Sequence, residues 1–161
     1  MSKWLDHWMK HARLISEMSI CPRNKVGAFI IDHNNNPISA GFNGPPRKSP
    51  SRFCGRSGCD RERLKVQSGT RTEIGCHHAE LNAIANASRR GIMLSGCTIF
   101  VSVNPCLACA KMIHHCGITR VVVPISNNYS KAGIRYLMQN NILIVYQDDK
   151  FYNFTSKLNG D

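Results

Sequence analysis

The order in which short apolar segments follow one another constrains the fold of this 161-residue chain most. Apolar residues at helical spacing over 3–19 precede two β-branched runs on either side of a turn signal at 33–37, which predicts a hairpin. Predicted helices then alternate with predicted strands. Strands joined by helices in this way form a mixed sheet that is covered by helices. The predicted helices are 3–19, 78–90, 106–116 and 130–140, and the predicted strands are 26–31, 38–42, 98–103, 120–124 and 142–147.

The length of the chain predicts one domain over 1–161, large enough to bury a core without disulfide bonds. No apolar run reaches the ~18 residues that a membrane helix needs. The first ten residues mix tryptophan, leucine and charges, which is not the pattern of a signal peptide. Eight cysteines in such a chain favour metal ligands and buried thiols over disulfides. We therefore expect a cytoplasmic protein without a membrane partner.

The net charge of +11 indicates an anionic partner. Nucleic acid and nucleotide phosphate both meet this description. A basic surface kept for solubility is the ordinary alternative, and charge alone does not choose among the three.

The segment from about 43 to 76 has neither a helical nor a strand period. It contains three prolines, three cysteines, and eight basic against three acidic residues. Such a long irregular loop is unusual inside a compact domain, and a bound metal would order it. Residues 151–161 are polar, and we predict a loose tail there.

Cys106 and Cys109 lie three residues apart on the first turn of a predicted helix, behind Pro105. This spacing places both sulfurs on one helix face, and the positive end of the helix dipole favours the thiolate form that binds zinc. Two buried thiols in a core helix are the alternative for this pair taken alone.

His78 and Glu80 open another predicted helix. His78 would be a third zinc ligand, which leaves the fourth tetrahedral position open, as in catalytic zinc sites. Zinc lowers the pKa of bound water from 15.7 to about 7. Glu80 would stand beside that water and move its proton. Taken alone, the pair also fits a helix start at which an acid favours the dipole.

Together, the two stretches form the pattern His-x-Glu…Pro-Cys-x-x-Cys, which belongs to zinc-dependent nucleobase deaminases. Over roughly residues 5–147 the chain resembles deoxycytidylate deaminases, and the stretch around Asn43 and the cysteine-bearing loop favour this branch of the superfamily. Phe42 stands where the family usually has tyrosine, so only a hydroxyl is lost. The stretches that carry the resemblance are 21–28, 41–46, 78–84 and 105–111.

The resemblance implies the cytidine-deaminase fold, a three-layer α/β/α sandwich with a mixed five-stranded sheet. It also implies hydrolytic deamination of dCMP to dUMP and ammonia, which supplies dUMP for thymidylate synthesis. The family's zinc ligands correspond to His78, Cys106 and Cys109, and its proton shuttle corresponds to Glu80.

The resemblance also assigns the substrate site. Asn43 corresponds to the asparagine that binds the sugar hydroxyl, with a turn-forming role as the alternative. Arg23 and Lys25 are candidates for the 5′-phosphate, unless they are solvated charges. Tyr129 is a candidate for stacking on the pyrimidine, unless it is a core ring.

Some family members carry a second, structural zinc that ties the long loop to the hairpin. Such a closed site would order a segment that is poor in apolar residues. Its candidate ligands are Cys21, Cys54, Cys59 and Cys76, with His77 as a substitute, and four unrelated thiols are the alternative.

Many relatives are allosteric homohexamers, activated by dCTP and inhibited by dTTP. Arg89 and Arg90 are candidate contacts to the effector phosphates, with Mg2+ accompanying the triphosphate.

Two rival hypotheses stay open. One is deamination of another base, in dCTP, free cytidine, a riboflavin precursor or tRNA adenosine. The other is a non-enzymatic, two-zinc nucleic-acid-binding module that uses the basic loop, where Phe53 is the single aromatic residue for stacking. Glu80 distinguishes an enzyme from a nucleic-acid-binding module, because a module that only binds does not need an acid beside an open zinc position.

Overall fold

The computed structural model describes residues 2–46, 54–55, 58–67, 70, 74–125, 130–147 and 152–153. None of the helices within these ranges is both long and apolar enough to span a membrane. The elements in chain order are α1 (Ser2–Ser16), β1 (Gly27–Ile31), β2 (Pro37–Phe42), β3 (Cys54–Gly55), β4 (Gly58–Cys59), α2 (Asp60–Arg63), α3 (Ala79–Ser88), β5 (Thr98–Val101), α4 (Leu107–His115), β6 (Arg120–Pro124), α5 (Lys131–Gln139), β7 (Leu143–Gln147) and β8 (Tyr152–Asn153).

Six strands form one mixed sheet in the order β2-β1-β5-β6-β7-β8. Strand β5 pairs antiparallel with β1 and parallel with β6, so the strand direction changes at β5. In open sheets of this kind, ligands bind beyond the carboxyl ends of the strands where the order switches. The end of β5 is therefore the expected place for a site.

Buried side chains alternate between the two faces of the sheet. Phe29, Phe100 and Val122 pack with Trp8 and Met9 of α1 on one face. The opposite face packs against α3, α4 and α5 in a larger cluster. This arrangement confirms the predicted α/β/α sandwich.

Helix α3 is fixed to β2 by close packing and by polar contacts. A Cβ at Gly41 would overlap the backbone of Ala83, so only glycine permits this approach. Ser39 Oγ donates to the Ala83 carbonyl at 2.7 Å, and Asn82 Nδ2 donates to the Phe42 carbonyl at 2.8 Å. The first turn of α3, with His78 and Glu80, is thus held in a defined register.

The start of α4 is held equally closely. A Cβ at Gly133 of α5 would overlap the carbonyl oxygen of Pro105, so α5 lies directly against the segment that leads into α4. Ser102 Oγ, earlier in the same segment, accepts a hydrogen bond from Gly27 N at 3.0 Å. Residues 102–106 are therefore fixed between β1 and α5.

The structure differs from the sequence predictions at the ends of several elements and in two segments that were predicted to be irregular. Helix α1 ends at Ser16 rather than at residue 19, and β5 ends at Val101 rather than at 103. The described parts of the 43–76 segment contain a two-residue hairpin, β3 and β4, and the short helix α2. In the predicted loose tail, β8 pairs with β7, so the sheet has six strands rather than five.

Candidate active site

Three potential metal ligands meet where α3 and α4 begin. His78 immediately precedes α3, Cys106 immediately precedes α4, and Cys109 lies in the first turn of α4. The Nδ1 atom of His78 lies 3.4 Å from the sulfur of Cys106 and 3.4 Å from that of Cys109. All three ligand atoms lie within 4.8 Å of one another.

This donor set fits zinc. Zn–N and Zn–S bonds of 2.0–2.3 Å in a tetrahedron separate two ligand atoms by about 3.6 Å, close to the distances found here. One imidazole and two sulfurs leave a fourth position open, which is the arrangement of a catalytic rather than a structural site.

The pKa values of the two cysteines are shifted in opposite directions. A hydrogen bond from Cys109 lowers the pKa of Cys106 to about 3, and the same bond raises the pKa of Cys109. The neighbouring Cys106 sulfur raises the pKa of His78. Negative charge is therefore concentrated between the three side chains, where a cation replaces protons on binding.

Glu80 is the acid of this site. Its side chain is 2% exposed, and burial raises the pKa of its carboxyl group. It lies in the first turn of α3, near His78 and within hydrogen-bond reach of the Cys109 thiol. A buried acid in this position can hold and release a proton beside the metal site.

A pocket of about 260 Å3 opens above these side chains, close to the ~300 Å3 lower limit of small-molecule sites. Apart from the metal ligands and Glu80, its polar lining residues are Arg23, Asn24, Asn43, Arg61 and Asn104.

Asn43 is buried and builds one wall of this pocket. Its Oδ1 accepts a hydrogen bond from Val26 N at 2.8 Å, and its Nδ2 donates to the Asn24 carbonyl at 2.8 Å. Gly44 and His77 exchange two backbone hydrogen bonds, which hold this turn beside His78. Asn43 therefore positions the 24–26 segment as well as lining the pocket.

Two guanidinium groups lie at the pocket and hold the same stretch of loop. Arg23 Nη1 donates to the Val66 carbonyl at 2.9 Å. Arg61 Nη2 donates to the carbonyls of Gln67 and Thr70 at 3.1 and 3.0 Å. The Nε of Arg61 is buried without an acceptor among the described residues.

The remaining predicted residues lie elsewhere. Lys25 lines a different depression, where its Nζ lies 3.5 Å from the Glu17 carbonyl, so the structure does not place it with Arg23. Arg89 and Arg90 are exposed at the end of α3, and Arg90 Nη1 donates to the Ile38 carbonyl at 2.8 Å. Tyr129 is outside the described residues.

Three of the four cysteines of the second predicted site, Cys21, Cys59 and Cys76, line the active-site pocket. Cys21 lies against Cys76, and a hydrogen bond from Cys76 lowers the pKa of Cys21 to about 5. Cys59 lines the same pocket, and Cys54 pairs with Cys59 across the β3–β4 hairpin. Within the described part of the chain, only the His78 cluster brings three ligand atoms together.

Sequence reasoning missed Arg61 and Asn104. Arg61 lies in the irregular loop, where no spacing signal points to it. Asn104 directly precedes the Pro-Cys-x-x-Cys motif, and this position next to the predicted metal ligands could have indicated that it lies at the site.

Fold and site define an α/β/α protein with a cluster of potential metal ligands, a buried acid beside this cluster and two arginines at the pocket. Residues 2–125 match the family model for the cytidine and deoxycytidylate deaminase zinc-binding region. The chain belongs to this family.

Curated relatives agree with this assignment. Human deoxycytidylate deaminase is 32% identical over 126 residues, which cover 74% of this chain and 64% of the human protein. The chain likewise spans 64% of the orangutan and mouse relatives. Deoxycytidylate deaminase of Mycobacterium phage D29 is 31% identical over 127 residues, 75% of this chain and 94% of that protein.

A solved structure shows the same fold. The dCMP deaminase of cyanophage S-TIM5, crystallised with dCMP and dUMP, superposes with a TM-score of 0.73 at 27% identity. The match covers 91% of this chain and 98% of the phage protein.

Proposed function

We propose that this protein catalyses the zinc-dependent hydrolytic deamination of dCMP to dUMP and ammonia. The observation that carries the proposal is the buried carboxyl group of Glu80 beside the His78, Cys106 and Cys109 cluster, at a pocket lined by two arginines. The names of the human and phage relatives point to the same substrate.

Bound zinc would acidify water at its open position, so that a nucleophile is available near neutral pH. Glu80 takes the proton that is lost when water adds to C4 of the base, and passes it to N3. It then takes the proton of the new C4 hydroxyl group and delivers it to the exocyclic nitrogen, so that the C4–N4 bond breaks, ammonia leaves and the C4 carbonyl forms. Its raised pKa suits this work, because a carboxyl group that titrates nearer neutrality exchanges protons in both directions.

The 5′-phosphate is assigned to Arg23 and Arg61. Guanidinium groups bind phosphate oxygens through charge-assisted hydrogen bonds, and both arginines line the active-site pocket. We place Arg61 here rather than Lys25, because Lys25 lines another depression. Asn43 is retained as the contact to the sugar hydroxyl, and Tyr129 as the residue that stacks on the base.

Arg61→Ala should lower kcat/KM for dCMP by about 10- to 100-fold. This loss corresponds to the free energy of one or two hydrogen bonds to a charged group. Activity on deoxycytidine, which lacks the phosphate, should change little. Ammonia release from both substrates measures the difference.

Arg63→Ala is the matched control, because Arg63 lies on the same short helix, is exposed and pairs with Asp60 at 2.8 Å. An equal loss on dCMP and deoxycytidine would show that Arg61 supports the loop rather than the phosphate. Parallel assays with dCTP, cytidine and an RNA hairpin test the rival substrates, and a higher rate on any of these would replace the assignment to dCMP.

The second zinc is retained as a proposal. The contact between Cys21 and Cys76, with Cys59 at the same pocket and Cys54 paired to Cys59, supports a structural site that orders the loop. Metal analysis should find two zinc ions per wild-type chain and one in Cys54→Ser. One zinc in both proteins would end this proposal.

Regulation and assembly complete the proposal. We retain a homohexamer that dCTP activates, with Mg2+, and dTTP inhibits, with Arg89 and Arg90 as phosphate contacts. Both arginines are exposed and lie at the C-terminal end of α3, whereas Glu80 lies in its first turn. An unchanged response of Arg89→Ala to the two triphosphates would remove Arg89 from this site. The free thiols of the described cysteines suit a reducing cytoplasm.

A further inference from the structure

Exposed apolar side chains are concentrated along α1 and the turn that follows it. Eight large apolar side chains are exposed in the described parts of the chain, and four of them lie within residues 4–20. These four are Trp4, Leu14, Met18 and Ile20, which are 57%, 61%, 64% and 43% exposed. Together they leave roughly 450 Å2 of apolar surface in solvent, as much as the largest patch of a typical monomeric protein, and such patches mark interaction sites.

Histidines fill the gaps between these side chains, so that the exposed residues form one continuous stripe. The α1 stripe consists of residues at alternating intervals of three and four: Trp4, His7, His11, Leu14 and Met18. The ring centroids of Trp4 and His7 lie 6.0 Å apart, and those of His7 and His11 lie 4.5 Å apart. A hydrogen bond from Met18 N to the Ile15 carbonyl at 3.1 Å continues the helical turn to the last member. Such intervals are the spacing of a seam between two packed helices.

The stripe is separate from the face that α1 packs on its own sheet. Trp8 belongs to the buried face and stacks on Phe29 of β1 at a centroid distance of 5.5 Å. On one flank of this face, Asp6 accepts a hydrogen bond from Gln147 Nε2 of β7 at 3.0 Å. On the other flank, the His11 ring lies 5.2 Å from that of Phe29. The stripe therefore lies on the flank of α1 away from β7, toward the β2 edge of the sheet.

We propose that the α1 stripe is an antiparallel contact between two copies of this chain. A two-fold axis beside residue 9 places Trp4 against the partner's Leu14 and His7 against the partner's His11. The same two contacts recur on the other side of the axis, as in every isologous interface. The large Trp4 ring thus meets an aliphatic side chain at each end of the contact, and the imidazole rings meet at its centre.

The charges beside the stripe favour this antiparallel arrangement. Lys3 and Glu17 are both exposed, and their separation of about four helical turns puts them on the same flank of the stripe at opposite ends. In an antiparallel pair, Lys3 lies beside the partner's Glu17 at both ends of the contact. Lys10 lies nearest the axis, and Asp6 already pairs with its ammonium group at 2.7 Å. A parallel pair would instead place like charges together at both ends.

A second copy fits the stripe better than an anionic partner does. Residues 3–17 contain three basic and two acidic residues, whereas anionic lipid surfaces and nucleic acids select runs of uncompensated basic residues. Burying most of the exposed apolar surface on both copies removes about 800 Å2, and the flanking side chains bring the total near the ~1,200 Å2 of a small specific interface. We therefore expect a dissociation constant of about 10 μM.

The contact is independent of the proposed reaction. Helix α1 covers one face of the sheet, and α3 and α4, which position the His78 cluster, cover the other. The contact would supply one two-fold interface to a larger assembly, which needs a second kind of interface as well.

Charge reversal tests the antiparallel register in the zinc-loaded full chain, by sedimentation velocity between about 1 and 200 μM, which brackets the expected dissociation constant. Lys3→Glu and Glu17→Lys should each weaken self-association about 10-fold, because each places like charges together at both ends. An equimolar mixture of the two variants should recover the wild-type affinity, because every pair across the mixed contact then joins opposite charges. Arg13→Glu, on a different side of α1, is the matched control with unchanged association.

Leu14→Asp tests the apolar part of the contact. Leu14 is 61% exposed, so the fold does not depend on it and the thermal midpoint should stay at the wild-type value. Self-association through α1 should be lost over the whole concentration range, because an acid then faces the Trp4 ring of the partner subunit.

The proposal is wrong if the wild type is monomeric throughout this range, or if Leu14→Asp leaves the mass of a wild-type assembly unchanged. It is also wrong if the single charge reversals weaken association and their mixture does not recover it. Binding of a monomeric wild type to vesicles of phosphatidylserine and phosphatidylcholine would assign the stripe to a membrane instead. None of these results bears on the proposed deamination, which ammonia release from dCMP measures separately.

Discussion

Glu80→Gln should lower turnover of dCMP by about 10⁴-fold, because a single residue is proposed to make both proton transfers and each is worth up to this factor. Glutamine keeps the size and the hydrogen-bonding groups of the side chain but cannot exchange a proton near neutral pH. Zinc content should stay at the wild-type value, since the carboxyl group is not among the three clustered ligand atoms. Burial already disfavours the charged carboxylate, so the thermal midpoint should not fall.

Glu17→Gln is the control for this substitution. Glu17 is exposed at the end of α1 and lines a different depression from the active-site pocket. Its variant should keep wild-type turnover. Substantial activity in Glu80→Gln with normal zinc content would remove Glu80 from the mechanism and leave the metal site without an identified base.

Cys106→Ser should remove the active-site zinc and abolish turnover. A serine hydroxyl stays protonated at neutral pH and is not a zinc ligand of the kind that a thiolate provides. Two ligands would remain, His78 and Cys109, and these do not form a tetrahedral site. Metal analysis after dialysis and ammonia release from dCMP measure the two effects together.

Cys116→Ser supplies the matched control on the same helix. Cys116 follows the last turn of α4 and packs against the core, and burial raises the pKa of its thiol. This variant should keep both zinc and turnover. Equal loss of zinc from both variants would indicate that α4 tolerates no cysteine substitution, whereas zinc retention in Cys106→Ser would exclude Cys106 as a ligand.

Much of the fold can be predicted from local patterns in the sequence. The strand over Arg120–Pro124 was predictable at both ends, because a β-branched run lies between a glycine-capped helix and a proline. The ligand cluster follows from two short motifs, each within one helical turn, placed at helix starts that the sheet brings together. The additional strand β8 was not predictable, because two residues in a polar segment carry no periodic signal.

Which residues line the pocket could not be predicted fully from the sequence. Proximity in sequence suggested that Arg23 and Lys25 act together, but Arg23 lines the active-site pocket and Lys25 lines a different depression. Arg61 reaches the pocket through the fold of an irregular loop, and Asn104 lines it from the segment between β5 and α4. Both properties depend on tertiary contacts that no spacing rule contains.

Zinc-dependent hydrolysis is tested by one reaction of the zinc-loaded protein with dCMP in water labelled with ¹⁸O. We expect equal amounts of ammonia and dUMP, with one labelled oxygen at C4 of each dUMP, and no reaction after zinc is removed. Ammonia release that persists without zinc, or dCMP that stays intact with zinc present, would contradict it.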